Sequence, residues 1–341
     1  MFEILTTPSF NAEKLVCGEE YDYVTRTSFN QGILRKTGFV NQANINEKGT
    51  WSLGLLQMDF FYRKNPWYAG QFVRKIVPKI ALNDNSILYF TTLFNKQKQR
   101  LLNVLVRDVD ATFSNAYIQL PTKDGKIDFE FMDACIRELE EERIRELSAY
   151  LTVSGLDNYE LSSEEKEALN AYDSMVFGEH KFKDIFNNIK QGRRLKKDDQ
   201  VVGNIPFVMS GRTNTGVVGY ISNPIALFSK NSITIDIFGN SFYRSYDTGV
   251  YWNDKTQYSK EAMLYLTTAM EKTLLGKYSY GKKLRSSQSF NFKVQLPTKN
   301  GKIDFEFMEL LISAVQKLVI KDVVLYADEK IQSTKKIVKE S

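Results

Sequence analysis

Residues 119–132 read QLPTKDGKIDFEFM and residues 295–308 read QLPTKNGKIDFEFM, so a fourteen-residue stretch occurs twice in this chain of 341 residues. Only Asp124 and Asn300 differ between the copies, which lie 176 residues apart. A repeat this close to identity indicates two copies of one structural unit. The chain is also long enough for two domains of ordinary size. We therefore expect two tandem modules, each ending in the repeated stretch.

Weaker matches upstream keep the same order in both halves, while the offset between them rises to 184 residues. Such drift is expected when two copies accumulate loop insertions and deletions. Between the matches the halves have diverged, which suits a shared scaffold that recognises different targets. The matches are LYFTT at Leu88–Thr92 and LYLTT at Leu264–Thr268, Phe61-Tyr62-Arg63 and Phe242-Tyr243-Arg244, and Val24, Asn30 and Gly32 with Val208, Asn214 and Gly216.

The repeated stretch predicts a tight turn followed by the start of a long helix. Lys-Asp-Gly-Lys and Lys-Asn-Gly-Lys supply residues that tolerate a positive φ, and Asp128 and Asp304 are suited to cap a helix. Hydrophobic residues then recur at intervals of three and four, which is typical of a coiled-coil helix. We expect the two helices to pair antiparallel with pseudo-twofold symmetry. Their apolar positions are Phe129, Met132, Ile136, Leu139 and Leu147, and Phe305, Met308, Ile312, Val315 and Val319.

Within the modules, short β-rich runs alternate with helical stretches, so the predicted fold class is α+β, with strands and helices mixed in each module. Examples are the strand candidates Ser232–Phe238 and Ile205–Met209 and the helix candidate Lys260–Leu275. A short capped helix is expected within Leu161–Tyr172. The predicted boundaries are 1–127 for the first module, 128–180 for the first spacer helix and an acidic linker, 181–303 for the second module, and 304–341 for the second spacer helix.

The charge is strongly patterned, because these four segments carry net charges of +5, −11, +12 and −1. Two basic blocks separated by an acidic one indicate a polyanionic partner such as DNA. Arginine can bind guanine edges and asparagine adenine edges, whereas lysine suits phosphates. We expect Arg212→Ala or Arg244→Ala to relax recognition of one part of the DNA target, the half-site read by one module, by about 1–3 kcal/mol. The candidate DNA-binding residues are Arg26, Asn30, Arg35, Lys36, Arg63, Lys64, Arg74, Lys75, Arg193, Arg194, Arg212, Asn214, Arg244, Lys277, Tyr278, Tyr280, Lys282, Lys283 and Arg285.

Catalytic chemistry is not evident in the sequence, and we assign no catalytic or metal-binding residue. The single histidine, His180, falls in the predicted linker and lacks partners for a triad or zinc site. Neither the Asn-Pro-Trp-Tyr at 65–68 nor the Asp-Glu-Lys at 328–330 has the companion residues of a methyltransferase or nuclease motif. Two distant cysteines, with no apolar leader, favour a cytoplasmic protein.

At the repeated stretch the sequence resembles the specificity subunits of restriction–modification systems. In the second module, Lys277–Arg285 followed by Val294–Pro297 is similar to the end of a target-recognition domain of that family. Residues 101–115 of the first module lack the Tyr-Ser-Tyr-Gly-Lys-Lys pattern, so those contacts are not carried across. The form of the repeated stretch is closest to the small subunit of BcgI-like Type IIB enzymes, which are similar in layout to Type I specificity subunits.

This resemblance implies a large partner subunit that carries the methyltransferase and the nuclease and uses S-adenosylmethionine and Mg²⁺. Two equivalent modules imply two copies of that partner. A helix of about 22–28 residues spans roughly 33–42 Å, close to one turn of B-DNA. The expected target is therefore double-stranded DNA with two different half-sites and an unread gap of about six base pairs.

Two other functions stay open from the sequence alone. The chain could act without a partner, as a DNA-binding protein, a nuclease or a methyltransferase, in which case the purified chain alone would bind, cut or methylate DNA. A two-domain carbohydrate- or protein-binding module would share the repeat and the helices. Its binding would lack the steep salt dependence of phosphate contacts.

Overall fold

The structure, a computed structural model, describes residues 1–186, 189–247 and 258–340, and over 334–340 it describes the helix without its side chains. The chain divides into two compact units, Met1–Glu146 with Ser333–Ser341, and Leu147–Gln332. Both contain helices and strands, which confirms the predicted α+β class. None of the helices described is long and apolar enough to cross a membrane.

The first unit contains two four-stranded sheets and a small hairpin. The sheet orders are β1-β8-β5-β6 and β3-β2-β7-β4, and β9 pairs with β10; the pairing is antiparallel except between β2 and β7. The strands are β1 (Phe2–Thr6), β2 (Tyr21–Val24), β3 (Ile33–Thr37), β4 (Ile45–Asn46), β5 (Thr50–Gly54), β6 (Asp59–Arg63), β7 (Trp67–Ala69), β8 (Val73–Pro78), β9 (Thr122–Lys123) and β10 (Lys126–Ile127). The helices are α1 (Asp84–Lys96), α2 (Lys98–Leu102), α3 (Val109–Ser114) and α4 (Phe129–Val153), and residues 147–153 of α4 belong to the second unit.

The core of this unit lies between the first sheet and α1. Trp51 and Leu53 alternate along β5, so both side chains face the same side of the sheet. From α1, Phe90 and Phe94 are four residues apart and cover that side. The start of α4 adds Met132, which is completely buried. The repeated stretch is therefore attached to the core of its module.

The second unit contains a three-stranded sheet, β11-β16-β17, and the hairpins β12-β13 and β14-β15. Its core gathers α6, α7, β16 and the start of α9. The strands are β11 (Phe177–Lys181), β12 (Val202–Val208), β13 (Val217–Ile221), β14 (Ser232–Ile235), β15 (Ser241–Arg244), β16 (Lys293–Lys299) and β17 (Lys302–Ile303). The helices are α5 (Ser163–Ala171), α6 (Phe182–Ile185), α7 (Lys260–Leu274), α8 (Ser286–Ser289) and α9 (Phe305–Glu340).

The N-terminal edge of the second module differs from the predicted boundary at residue 181. Strand β11 begins at Phe177 and pairs with β16, so the sheet starts inside the segment expected to be linker. His180 lies opposite Val294 in this pairing. The histidine is therefore part of the sheet rather than of a linker, because its strand is completed by residues more than a hundred positions away.

The local structure predicted for the repeated stretch is confirmed in both copies. Asp124 and Asn300 have φ angles of 51° and 54°, and the glycine after each also has a positive φ. The carboxylates of Asp128 and Asp304 accept hydrogen bonds from backbone N–H groups three residues on, at 2.9 and 3.0 Å. Each copy thus forms a tight hairpin and then caps a long helix.

The buried face of the long helices differs in part from the predicted apolar stripe. On α4, Met132 and Ile136 are buried but Leu139 is 46% exposed. On α9, Val315 and Val319 are 41% and 74% exposed. Among the described side chains of α9, the buried ones are Phe307, Met308, Leu311, Ala314, Val324 and Ala327. The stripe is displaced because α5 and the end of α4 pack against one side of a helix that is apolar on more than one face.

Helix α5 contacts α9 through a buried carboxylate. Ser162 caps α5 in a capping box with Glu165, as expected. Glu165 accepts hydrogen bonds from Ser313 at 2.6 Å and Lys317 at 2.9 Å. Burial by itself raises the pKa of Glu165, but the hydrogen bonds outweigh it and hold the pKa below its usual value. The charged pair fixes the packing of the acidic linker on α9.

Candidate nucleic-acid interface

Each module carries a hairpin loop of eight residues in the same place. The first loop, residues 25–32 (TRTSFNQG), joins β2 to β3, and the second loop, residues 209–216 (MSGRTNTG), joins β12 to β13. The two loops share only the asparagine at the sixth position and the glycine at the eighth. Their middle residues are exposed, so each loop offers a different surface on a hairpin of the same length.

The backbone of the two loops is nearly the same. Asn30 has φ and ψ of 46° and 45°, and Asn214 has 47° and 39°. The next residues, Gln31 (52°, 34°) and Thr215 (51°, 28°), are also left-handed. A left-handed residue other than glycine costs roughly 1–3 kcal/mol, and a β-branched one is particularly rare. Two successive residues of this kind, in both modules, require strong support from their surroundings.

Part of that support comes from hydrogen bonds that close each loop. The first and last residues are joined by a backbone hydrogen bond of 2.8 Å in both modules. The side-chain amide of Asn30 donates to the carbonyl oxygen of Ile33, and that of Asn214 to Val217, both at 3.2 Å. The shared asparagine is therefore a structural element of the loop, which explains why it occurs in both copies.

A buried arginine supplies the rest of the support. Arg63 at the end of β6 donates to the Ser52 hydroxyl at 2.9 Å and to the carbonyl oxygen of Gln31. Arg244 at the end of β15 donates to the Thr234 hydroxyl at 2.9 Å and to the carbonyl oxygen of Thr215 at 2.6 Å. Both guanidinium groups also lie over a phenylalanine two residues earlier, 5.7 and 5.3 Å from the ring centre. Each arginine thus holds the second left-handed residue of its loop.

These contacts correct the prediction that Arg63 and Arg244 bind DNA bases. Both side chains are 1% exposed, so neither reaches a groove of DNA. Burial lowers the pKa of Arg63 to about 10, while the carboxylate of Asp22 acts in the opposite direction. Arg63 therefore stays charged near pH 7. The expectation that Arg244→Ala relaxes one half-site through the loss of a base contact is wrong in its premise, because Arg244 is internal.

Several other predicted DNA contacts are engaged within the protein. Arg74 pairs with Asp110 at 2.9 Å, Lys75 pairs with Glu47 at 2.9 Å, and Arg35 donates to the carbonyl oxygen of Ala12 at 2.7 Å. Arg74 and Lys75 are adjacent on β8, so they point to opposite faces of the sheet. Their charges are partly neutralised, which makes them weaker candidates for phosphate contacts than cations at the surface.

The remaining predicted cations lie at the surface in two groups. In the first module, Arg26 is on the first loop, Lys36 is exposed on β3, and Lys64 is exposed directly after β6. The second module adds an exposed turn in which Ser279 pairs with Lys282, and the Lys283 ammonium lies 4.6 Å from the ring centre of Tyr280. The exposed cations of the second module are Arg193, Arg194, Arg212, Lys277, Lys282, Lys283 and Arg285.

Two tyrosines of that turn have different surroundings. Tyr280 is 83% exposed, so its ring is available to a ligand. Tyr278 makes an edge contact with Phe292, and burial raises its pKa. Tyr278 is thus half-buried, which makes it a weaker candidate for a surface contact than Tyr280.

A cleft of about 770 Å³ lies in the second module and is lined in part by residues 190–197. The residues that line it include Arg193, Arg194, Lys196, Thr234 and Phe242. Within the parts of the chain that the structure describes, no group of three or more His, Cys, Asp or Glu side chains is placed to hold a metal ion. The arrangement can bind anions and present polar side chains.

The hydroxyl partners Ser52 and Thr234 were missed by reasoning from the sequence. They lie 182 residues apart, between the offsets of the recognised matches, and differ in residue type. The match between Phe61-Tyr62-Arg63 and Phe242-Tyr243-Arg244 was visible in the sequence, however. Because the modules otherwise diverge, the identity of these residues was the available indication that the arginine has an internal role.

Comparisons with known proteins agree with this two-module layout. A sequence model of the family described as "Type I restriction modification DNA specificity domain" matches residues 1–149 and 177–324. The chain is 24% identical over 273 residues to the specificity subunit S.BcgI of a Type II restriction enzyme from Heyndrickxia coagulans, covering 76% of this chain and 75% of that protein. It is also similar in fold to the crystal structure of a Type I restriction–modification S subunit from M. genitalium, with a TM-score of 0.53, 15% identity, and coverage of 98% and 91%.

Proposed function

This chain belongs to the Type I restriction–modification DNA specificity family, and we propose that it reads a bipartite, asymmetric double-stranded DNA target in the cytoplasm. Its role as a DNA sequence-specificity subunit follows from the family match over both modules. The observation that carries the bipartite target is the pair of hairpin loops, which share a backbone but differ in their exposed residues. Two such loops suit two half-sites of different sequence.

The long helices suit the role of a spacer between half-sites. Helix α4 has 25 residues, which corresponds to about 38 Å at 1.5 Å per residue. One turn of B-DNA is roughly 34–36 Å, the separation at which paired DNA-binding modules commonly read half-sites. We therefore propose that the helices set the length of the unread gap between the half-sites, which is about six base pairs.

Specificity subunits act with methyltransferase and restriction subunits, and we assign to this chain two copies of a large partner that carries both activities. The similarity to S.BcgI supports an enzyme of the Type IIB class. We also assign the binding of S-adenosylmethionine and Mg²⁺ to that partner. On α9 the exposed residues Val315, Val319 and Tyr326 form an apolar surface suited to a partner.

The partner assignment predicts a result for Val319→Asp. Val319 is 74% exposed, so the change should leave the fold intact but bury a carboxylate at the subunit contact, weakening assembly by at least about tenfold. Val202→Asp is the matched control, because Val202 is 90% exposed on β12 and should assemble normally. Native mass spectrometry of the co-expressed subunits measures both assembly and the expected ratio of two large subunits to one chain.

The same preparation separates the alternatives. The chain alone should neither methylate nor cut DNA, and addition of the large subunit should supply both activities. Specific binding should weaken steeply between about 50 and 200 mM salt, as phosphate contacts require. Methylation or cleavage by the chain alone would establish an enzyme in its own right, and salt-independent binding would favour a carbohydrate- or protein-binding module.

A further inference from the structure

We propose that the two hairpin loops, residues 25–32 and 209–216, are the elements that read bases, with the residues shared by both loops serving only as their support. This inference rests on the proposed function, since it names which residues carry the sequence recognition. It separates each loop into two sets, a supporting set common to both modules and a reading set that differs.

The supporting set consists of residues whose side chains or conformation are used inside the protein. In the first loop, the Asn30 amide is bonded to the backbone, and Gly32 has a φ of 79°. A Cβ on Gly32 would meet Arg63 and the Thr25 carbonyl oxygen at 3.3 Å. On Gly216 it would meet the Met209 carbonyl oxygen at 2.6 Å. These positions are therefore fixed by the loop itself.

The reading set consists of exposed residues whose identity differs between the loops. They are Arg26, Ser28, Phe29 and Gln31 in the first loop, and Ser210, Arg212, Thr213 and Thr215 in the second. Their chemistry fits base edges, because arginine pairs with guanine, glutamine with adenine, serine and threonine with either, and an apolar group with the thymine methyl. Gln31 and Thr215 occupy the same left-handed position in their loops, and the Thr215 hydroxyl accepts a hydrogen bond from Arg244 at 3.0 Å.

Several reading residues are already oriented by neighbours. Arg212 donates to Asn240 at 2.7 Å and to Glu271 at 2.9 Å. These bonds use two of the five N–H groups of a guanidinium, which leaves others for a base. Ser28 donates to Asp59, which also pairs with Lys98. Held side chains lose less freedom on binding, so this arrangement favours discrimination between bases.

Two other basic surfaces of the second module have no counterpart in the first. The turn at Lys277–Arg285 has no matching pattern in residues 101–115. The basic run at 193–197 corresponds, at the 184-residue offset of the loops, to residues 9–13 (SFNAE), which contain no cation. A module pair that reads two half-sites in equivalent ways needs an exposed polar element in each, and the hairpin loops meet that requirement.

The proposal is tested by grafting one reading set onto the other loop. In the complete complex with the large subunit, the changes Arg26→Ser, Ser28→Arg, Phe29→Thr and Gln31→Thr place the second reading set on the first loop. Selection from randomised DNA should then return a first half-site altered towards the second, by roughly 5- to 150-fold in base preference at the positions concerned. The second half-site should be unchanged.

Single substitutions at exposed residues provide a second test if the grafted protein does not fold. Gln31→Ala should reduce discrimination at one position of the first half-site, whereas Gln42→Ala should not, because Gln42 is exposed beyond the opposite end of the β2–β3 hairpin. If the wild-type complex selects a sequence but neither the graft nor Gln31→Ala changes the half-sites, this inference is overturned and the proposed function is not. A wild-type complex that selects no sequence overturns the proposed function, and the inference with it.

Discussion

Replacing Arg63 with alanine is expected to lower the free energy of unfolding of the first module by roughly 3–5 kcal/mol, far more than the loss of a surface cation. The guanidinium is buried and bonded to Ser52 and Gln31. Its removal leaves a cavity, unsatisfied buried polar groups, and a buried Asp22 without its nearby positive charge. Chemical unfolding followed by tryptophan fluorescence measures the change, since Trp51 and Trp67 are both in this module.

Lys36→Ala is the matched control for this change. Lys36 is an exposed cation on β3 of the same module, and its loss should alter the free energy of unfolding by no more than about 0.5 kcal/mol. Arg63→Lys should recover little stability, because an ammonium cannot reproduce the planar set of donors. Equal stability of the Arg63→Ala and Lys36→Ala variants would contradict the internal role of Arg63.

Deleting residues 138–141 from α4 is expected to shorten the unread gap by one or two base pairs and leave both half-sites unchanged. Four residues correspond to about 6 Å of helix, and one base pair to about 3.4 Å. After the deletion Ile144 follows Ile136 by four residues, so the buried side of α4 stays continuous. Affinity for the original target should fall towards the non-specific level, by roughly a thousandfold or more.

Replacing the same four residues with alanines is the control, because it removes the same side chains without changing the helix length. Methylation-site mapping on the two complexes should return the shortened gap for the deletion and the original gap for the alanine variant. An unchanged gap after the deletion would show that the helix does not set the spacing. A changed half-site would also count against the spacer role.

The features predicted correctly from the sequence are those set by residues close together in the chain. The Asp-Gly and Asn-Gly turns, the caps at Asp128 and Asp304, and the capping box at Ser162 each depend on a few adjacent residues. Such local rules hold whatever the rest of the fold does. The two-module layout was equally accessible, because near-identity over fourteen residues requires no knowledge of packing.

The features missed depend on distant partners. Arg63 was taken for a surface residue because arginine is rarely buried, and its hydroxyl partner lies eleven residues earlier on another strand. Val315 and Val319 were expected to be buried, but the side of α9 that is covered is chosen by α5 and the end of α4. Strand β11 was read as linker because it is completed by β16. The residues that are identical in the two otherwise divergent modules support the loops. The residues that differ between the loops are those that we propose read bases.

The most direct test of the central claim is selection of bound sequences from a fully randomised DNA library by the complete complex. If two modules of one scaffold read DNA through different exposed residues, the selected sequences contain two half-sites that differ from each other and are separated by a fixed gap of about six unspecified base pairs. A single continuous motif, or two identical half-sites, would contradict the account.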